Sequence, residues 1–155
     1  MIQHILVAVD GSPFSFRAAR LGARILHLNK SGTLSLLYIA KSFSDLEWFQ
    51  GPVSSIEGAP QKEREGLERA LKKGQDILQE AQAGVKDLLK DSTIQVDPIV
   101  VPGDPAQKII ENAEKIKCDF VIMGSRGAGA LKGKLLGSVS QKVLAGCHCP
   151  VLIVK

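Results

Sequence analysis

Five short apolar runs alternate with amphipathic helical patterns along this chain, and that alternation leaves few architectures open. The runs are Ile5 to Val9, Leu34 to Ala40, Ile94 to Val101, Phe120 to Met123 and Val151 to Val154. Each is strand-length and mostly aliphatic or β-branched, the pattern of strands buried on both faces. Between them, Phe14 to Leu28 carries Ala18, Leu21, Ile25 and Leu28 at helical spacing. Pro105 to Ile116 opens with Asp104 as N-cap and Pro105 at the first helical position. Gly137 to Ala145 sets Val139, Val143 and Leu144 on one side. Strands alternating with helices predict an α/β fold, a three-layer α/β/α sandwich around a parallel sheet. At 155 residues the chain fits a single domain over 1–155.

The longest helix is expected from about Glu63 to Leu89. Leu67, Leu71, Gly74, Leu78, Ala81, Val85 and Leu88 alternate spacings of four and three. That resembles a coiled-coil seam, but Gly74 and Ala81 make poor knobs, so a stripe laid on a sheet is favoured. Glu and Lys on its other sides read as a solvated face. Pro98 and the alternating Thr93, Gln95 and Asp97 place the third strand at a sheet edge. The last strand is apolar throughout, and at an edge it would need a cover, for which a second copy of the chain is the natural candidate. The stretch Lys41–Pro60 reads as a long loop bearing Trp48 and Phe49, either a lid or a loop folded on its own core.

The residues from Met123 to Ser138 carry most of the chemistry. Gly124, Gly127, Gly129, Gly133 and Gly137 fall there with Arg126, Lys132 and Lys134 and no acid. Glycines let a backbone approach a phosphate and aim N–H groups at it, and the helix that follows favours anions at its start. Ser138 and Ser140 add hydroxyls. The spacing is not that of a P-loop, because Leu135 follows Gly133-Lys134 where Ser or Thr is required. It is not the dinucleotide fingerprint either, which belongs after the first strand and would need glycine at Lys132. Charge points the same way. The chain has 20 basic and 16 acidic residues, and residues 120–155 hold five of the basic ones with no acid. A cluster that local suits a few phosphates in a cleft better than a nucleic-acid backbone or a membrane surface.

Asp10 stands at the carboxyl end of the first strand, where open α/β sheets bind ligands. It either meets a ribose or cation there, or serves with Ser12 to cap the next helix. Asp104 is explained by capping alone. No histidine accompanies the glycines or Asp10, and no serine lies on a Gly-x-Ser-x-Gly elbow, so no catalytic residue is assigned. Three cysteines make no disulfide framework, and Cys147-His148-Cys149 lacks partners at ligand spacing, so no metal site is assigned. With no signal peptide or apolar span visible, a cytoplasmic protein is expected.

Taken together, these residues resemble the ATP-binding branch of the universal stress protein family. That branch is marked by Gly, two residues, Gly, nine residues, then Gly-Ser/Thr, and Gly124, Gly127, Gly137 and Ser138 match it without a gap. The opening Ile5 to Ser12, the turn Gly103-Asp104-Pro105-Ala106 and the ending Cys149 to Val154 are similar to the family as well. The resemblance implies a five-stranded parallel sheet in the order 3-2-1-4-5, Rossmann-like and adenine nucleotide alpha-hydrolase-like. It implies adenine near Ala8, Val9 and Ile39, ribose at Asp10, phosphates along Gly124, Arg126, Gly127, Gly137, Ser138, Val139 and Ser140, and Met123 among the nucleotide-binding residues. It further implies ATP with Mg²⁺ or Mn²⁺, a homodimer through Val151–Val154, and a regulatory role in stress without efficient catalysis. A slow metal-dependent ATPase or phosphotransferase is the alternative. No nucleic-acid or membrane partner is implied.

Overall fold

The structure is a computed structural model, and it describes residues 1–41, 60–127 and 136–155. The Trp48 loop and the cations Lys132 and Lys134 fall outside the described residues. The elements run β1 (His4–Ala8), α1 (Pro13–His27), β2 (Thr33–Ala40), α2 (Gln61–Lys86), a 3₁₀ turn (Asp87–Leu89), β3 (Gln95–Pro102), α3 (Pro105–Ile116), β4 (Phe120–Gly124), α4 (Ser138–Gly146) and β5 (Val151–Val154). All four strand pairings are parallel, and the sheet order is β3-β2-β1-β4-β5. The expected fold is therefore observed, with β3 at one edge and β5 at the other.

Alternate residues of each central strand feed the two helical layers. Ile5 and Val7 point with Leu34 and Leu36 into a core closed by Ala18, Ala19, Ala23 and Leu26 of α1 and Leu78, Ala81 and Val85 of α2. Leu6, Leu37, Val121 and Met123 point the other way, against Ala106, Ile109 and Ala113 of α3 and Val143 of α4. Nearly all these side chains are fully buried, which accounts for the predominantly apolar runs of the central strands. Small residues on α1 let it lie close to the sheet, and a Cβ on Gly22 would come within 2.9 Å of Leu34 Cδ1.

The α2 stripe lies on the sheet rather than in a seam. Leu67, Gly74, Leu78, Ala81 and Val85 are its buried positions. Gly74 belongs to the stripe because a Cβ there would overlap the Tyr38 ring of β2. At the other end of β1, the Asp119 carboxylate accepts from the Gln3 and His4 backbone N–H groups at 2.7 and 2.9 Å. Those two bonds hold its pKa below the usual carboxylate value. They also tie the turn before β4 to the start of β1. Among the described residues, no helix is long and apolar enough to cross a membrane.

Candidate functional site

Past β1 the chain turns to α1, and its connections build β2 and β3 on one side and β4 and β5 on the other. Such a reversal opens a crevice at the carboxyl ends of the neighbouring strands. Here the crevice is a cavity of about 670 Å³, lined from β1, β2 and β4, their following turns, and α2, α3 and α4. Small-molecule sites commonly span about 300–1,000 Å³.

The turn after β1 is held by its own side chains. Asp10 Oδ1 accepts from the Ser12 backbone N–H at 2.9 Å, and Gly11 takes a φ of +87° that other residues rarely adopt. Ser12 Oγ then accepts from Ser15 N–H at 3.2 Å and caps α1. Of the two roles open to Asp10, capping thus falls to Ser12, and Asp10 braces the turn from an exposed position in the cavity wall. Its other oxygen reaches toward the glycine loop, since a Cβ built on Gly127 would lie 2.8 Å from Asp10 Oδ2. Asp10 and Gly127 face each other across the crevice between β1 and β4. Tyr38 also lines the cavity. Burial, and then the Asp10 carboxylate, raise its phenol pKa, so it stays a protonated donor.

Ser125 carries the chain out of β4 and anchors the loop that follows. Its backbone N–H donates to Val154 O at 2.8 Å, and its carbonyl accepts from Gly137 N–H at 2.8 Å. The start of α4 is thereby held beside the end of β4. The α1 and α3 helices begin with side-chain caps, Ser12 and Asp104, whereas α4 begins with Gly137 and has none. Its first-turn residues Ser138, Val139 and Ser140 line the cavity. A helix start with unsatisfied N–H groups and the positive end of its dipole favours an anion.

The glycines differ in why they are glycine. A Cβ on Gly124 would come within 2.7 Å of Phe14 Cβ, so the packing of α1 already excludes a side chain there. A Cβ on Gly137 would meet nothing nearer than 3.6 Å. Among the described residues a Cβ at Gly137 is therefore tolerated, and its absence leaves the bare end of α4 less covered. Ser140 also departs from the simplest expectation. It is buried, and its hydroxyl lies 2.9 Å from Gly137 O and 3.3 Å from Ser125 O, so it donates within the protein.

Arg126 supplies the clearest sign of a missing partner. Its Nε is buried and has no hydrogen-bond acceptor among the described residues. A buried guanidinium N–H left unmatched is costly, and an anionic ligand would repay it. Lys41, Arg69 and Lys73 also line the cavity, and Asp10 is the single carboxylate among the lining residues described. Four cations against one acid make a positive field that favours an anion.

All twelve residues singled out from the sequence lie on this one wall: Ala8, Val9, Asp10, Ile39, Met123, Gly124, Arg126, Gly127, Gly137, Ser138, Val139 and Ser140. The reading of the α2 charges as a solvated face is corrected in part. Gly66, Arg69, Ala70 and Lys73 turn toward the cavity. Their spacing of three and four, with two small residues among long charged ones, is the trace this leaves in sequence. Asp104 accepts from Gln107 N–H at 2.9 Å and caps α3, as expected.

The sequence profile of the universal stress protein family matches residues 1–155. Universal stress protein MJ0531 of Methanocaldococcus jannaschii is 33% identical over all of this chain and 83% of its own length. Universal stress protein YxiE of Bacillus subtilis is 33% identical over the full length of both. Among solved structures, the protein MJ0577 superimposes with a TM-score of 0.80 at 26% identity, over 100% of this chain and 96% of its own. A universal stress protein in complex with cAMP gives 0.68 at 23%, over 99% and 96%. The Archaeoglobus fulgidus protein in complex with dAMP gives 0.65 at 19%, over the whole of both chains.

Proposed function

The chain belongs to the universal stress protein family, and from that premise we propose that its cavity binds ATP and that occupancy, rather than turnover, is what the protein reports to the cell. The observation that carries this reading is the buried, unmatched Arg126 Nε beside the uncapped start of α4. Ala8, Val9 and Ile39 supply an apolar seat for adenine, and Asp10 lies where it can accept from ribose hydroxyls. Gly124, Gly127, Gly137, Ser138, Val139 and Ser140 offer the phosphates their backbone, and Met123 closes the floor. Two solved relatives hold cAMP and dAMP. At their identities they speak for the fold, and the case for ATP rests on this chain's own residues.

A Mg²⁺ or Mn²⁺ ion fits the donor set if the phosphates supply most of its oxygens. Mg²⁺ commonly takes one or two carboxylates with phosphate and water, and Asp10 is the one carboxylate described in the wall. Bound there, the ion would neutralise phosphate charge. No histidine, and no second carboxylate among the described lining residues, stands ready to activate water, which favours binding over hydrolysis.

Native mass spectrometry of the purified protein, followed by calorimetric titration with ATP and Mg²⁺, tests the reading. One ATP per chain is expected, with negligible ADP release. Absence of heat and of copurified nucleotide would remove ATP, and ADP release abolished in Asp10→Ala would favour the slow ATPase. Arg126→Ala should lower ATP affinity about tenfold or more, as one charge-assisted hydrogen bond is worth about 1.5–3 kcal/mol. Adenosine affinity should hardly change in the same variant.

The β5 edge belongs to the same proposal. Leu152 is 37% exposed on an apolar strand whose other side pairs with β4. A second copy pairing through Val151–Val154 would cover it. Light scattering should find a dimer, and Leu152→Lys should shift it toward monomer with ATP binding retained. A monomeric parent protein at high concentration would exclude this arrangement.

A further inference from the structure

At the opposite end of the sheet from the cavity, the three cysteines come together. Cys118 precedes β4, while Cys147 and Cys149 bracket His148 in the turn from α4 to β5. The sequence alone offered no partner at ligand spacing, but parallel pairing of β4 with β5 brings the two segments side by side. Cys149 Sγ lies 3.7 Å from Cys118 Sγ and 3.5 Å from Cys147 Sγ. The ligand atoms of Cys147, His148 and Cys149 all lie within 4.8 Å of one another.

These distances match a recognisable shape. Tetrahedral zinc with Zn–S bonds of about 2.3 Å separates its sulfurs by roughly 3.8 Å. Two edges of that tetrahedron are present within a few tenths of an ångström, both meeting at Cys149. Cys118 is buried, Cys147 and Cys149 are half-buried, and His148 is exposed. The sulfurs of Cys147 and Cys149 share this end of the sheet with an exposed imidazole, whose ligand nitrogen lies within 4.8 Å of both, and Cys118 joins them through Cys149.

We propose that Cys118, Cys147, Cys149 and His148 form a Cys₃His site for Zn²⁺, separate from the nucleotide cavity. On binding, each coordinating thiol gives its proton to solvent and the sulfur lone pair to the metal. His148 coordinates as the neutral imidazole. A thiol–disulfide switch is the rival use of the same atoms. A disulfide would use two of these sulfurs, whereas a metal ion draws on all three and on the imidazole beside them. The site would clasp the start of β4 to the start of β5, so zinc would stiffen that edge of the sheet.

The test uses the full chain, reduced, stripped of metal and kept free of oxygen. Titration with Co²⁺ should give thiolate charge-transfer absorption in the near ultraviolet and intense visible bands of tetrahedral coordination. Both should saturate at one equivalent and vanish on adding one equivalent of Zn²⁺. Residues that only orient zinc ligands cost about 10–100-fold in affinity when replaced, so Cys149→Ser and Cys147→Ser should each cost at least about 100-fold. His148→Ala, at an exposed position, should cost at least about tenfold. ATP affinity, measured alongside, should stay at the parent value in all three and confirms the fold. Absence of the charge-transfer band would overturn the proposal, as would Zn²⁺ affinity unchanged in both His148→Ala and Cys147→Ser. A Cys147–Cys149 disulfide that forms in air with no zinc uptake by the reduced protein would overturn it in favour of the switch.

Discussion

Gly137→Asp is expected to weaken ATP binding at least about 100-fold while leaving the fold as stable as the parent, or slightly more so. The two effects have one origin. Gly137 sits at the N-cap of α4 with φ −73° and ψ 161°, a conformation open to any residue. A Cβ there meets no described atom nearer than 3.6 Å, so the substitution starts without a backbone or Cβ clash among the described residues. Aspartate is among the best N-cap residues, and its charge complements the helix dipole, worth about 0.3–1 kcal/mol. That carboxylate would occupy the space and the N–H groups proposed for a phosphate. A thermal melt and a calorimetric titration on the same sample decide it. Loss of stability together with affinity would mean that Gly137 serves the fold. Unchanged affinity would place the phosphates elsewhere.

Leu34→Ala should cost about 3–4 kcal/mol in chemical denaturation, the usual range for truncating a fully buried leucine. Gly22→Ala should cost about 1–3 kcal/mol, because its methyl would come within 2.9 Å of Leu34 Cδ1 and 3.2 Å of Val7 Cγ2. The double variant should lose less than the sum, by about 1 kcal/mol or more, since removing the leucine methyls vacates the space the alanine needs. Strict additivity would show that α1 shifts bodily rather than pressing on Leu34. The pair also bears on function. α1 begins two residues beyond Gly11, so its height above the sheet sets where Asp10 meets Gly127. Gly22→Ala alone should therefore weaken ATP binding as well, which the titration would reveal.

Most of the architecture was legible because it depends on local requirements. A strand buried on both faces must be largely apolar, so Leu34 to Ala40 announces itself although it carries a buried Ser35, whose hydroxyl is matched by His4 Nε2 at 2.9 Å. Pro98 cannot donate in a central strand, and β3 is at the edge. Ser12 and Asp104 mark helix starts because backbone N–H groups there need an acceptor within three residues. Asp10 and the glycines could be placed on one crevice because strand ends and loops follow from the β-α alternation. The resemblance then supplied the strand order that makes β1 and β4 neighbours.

Contacts between distant segments were not legible in that way. Arg69 and Lys73 look like any exposed helical charges until α2 is seen leaning over the cavity. Gly124 and Gly137 are the same letter, yet a Cβ on one would clash with Phe14, while a Cβ on the other would meet its described neighbours at ordinary contact distance. Cys118 and Cys149 stand 31 residues apart and nevertheless bring their sulfurs within 3.7 Å. The sequence by itself determined the elements and their layers, since periodicity, caps and turn geometry are properties of neighbouring residues, and the family resemblance added the strand order and the expected wall of the site. Only the tertiary structure decided which charges face the cavity, which glycine leaves space free and which thiols meet. Those depend on distances between elements, and the packing of the whole chain sets them.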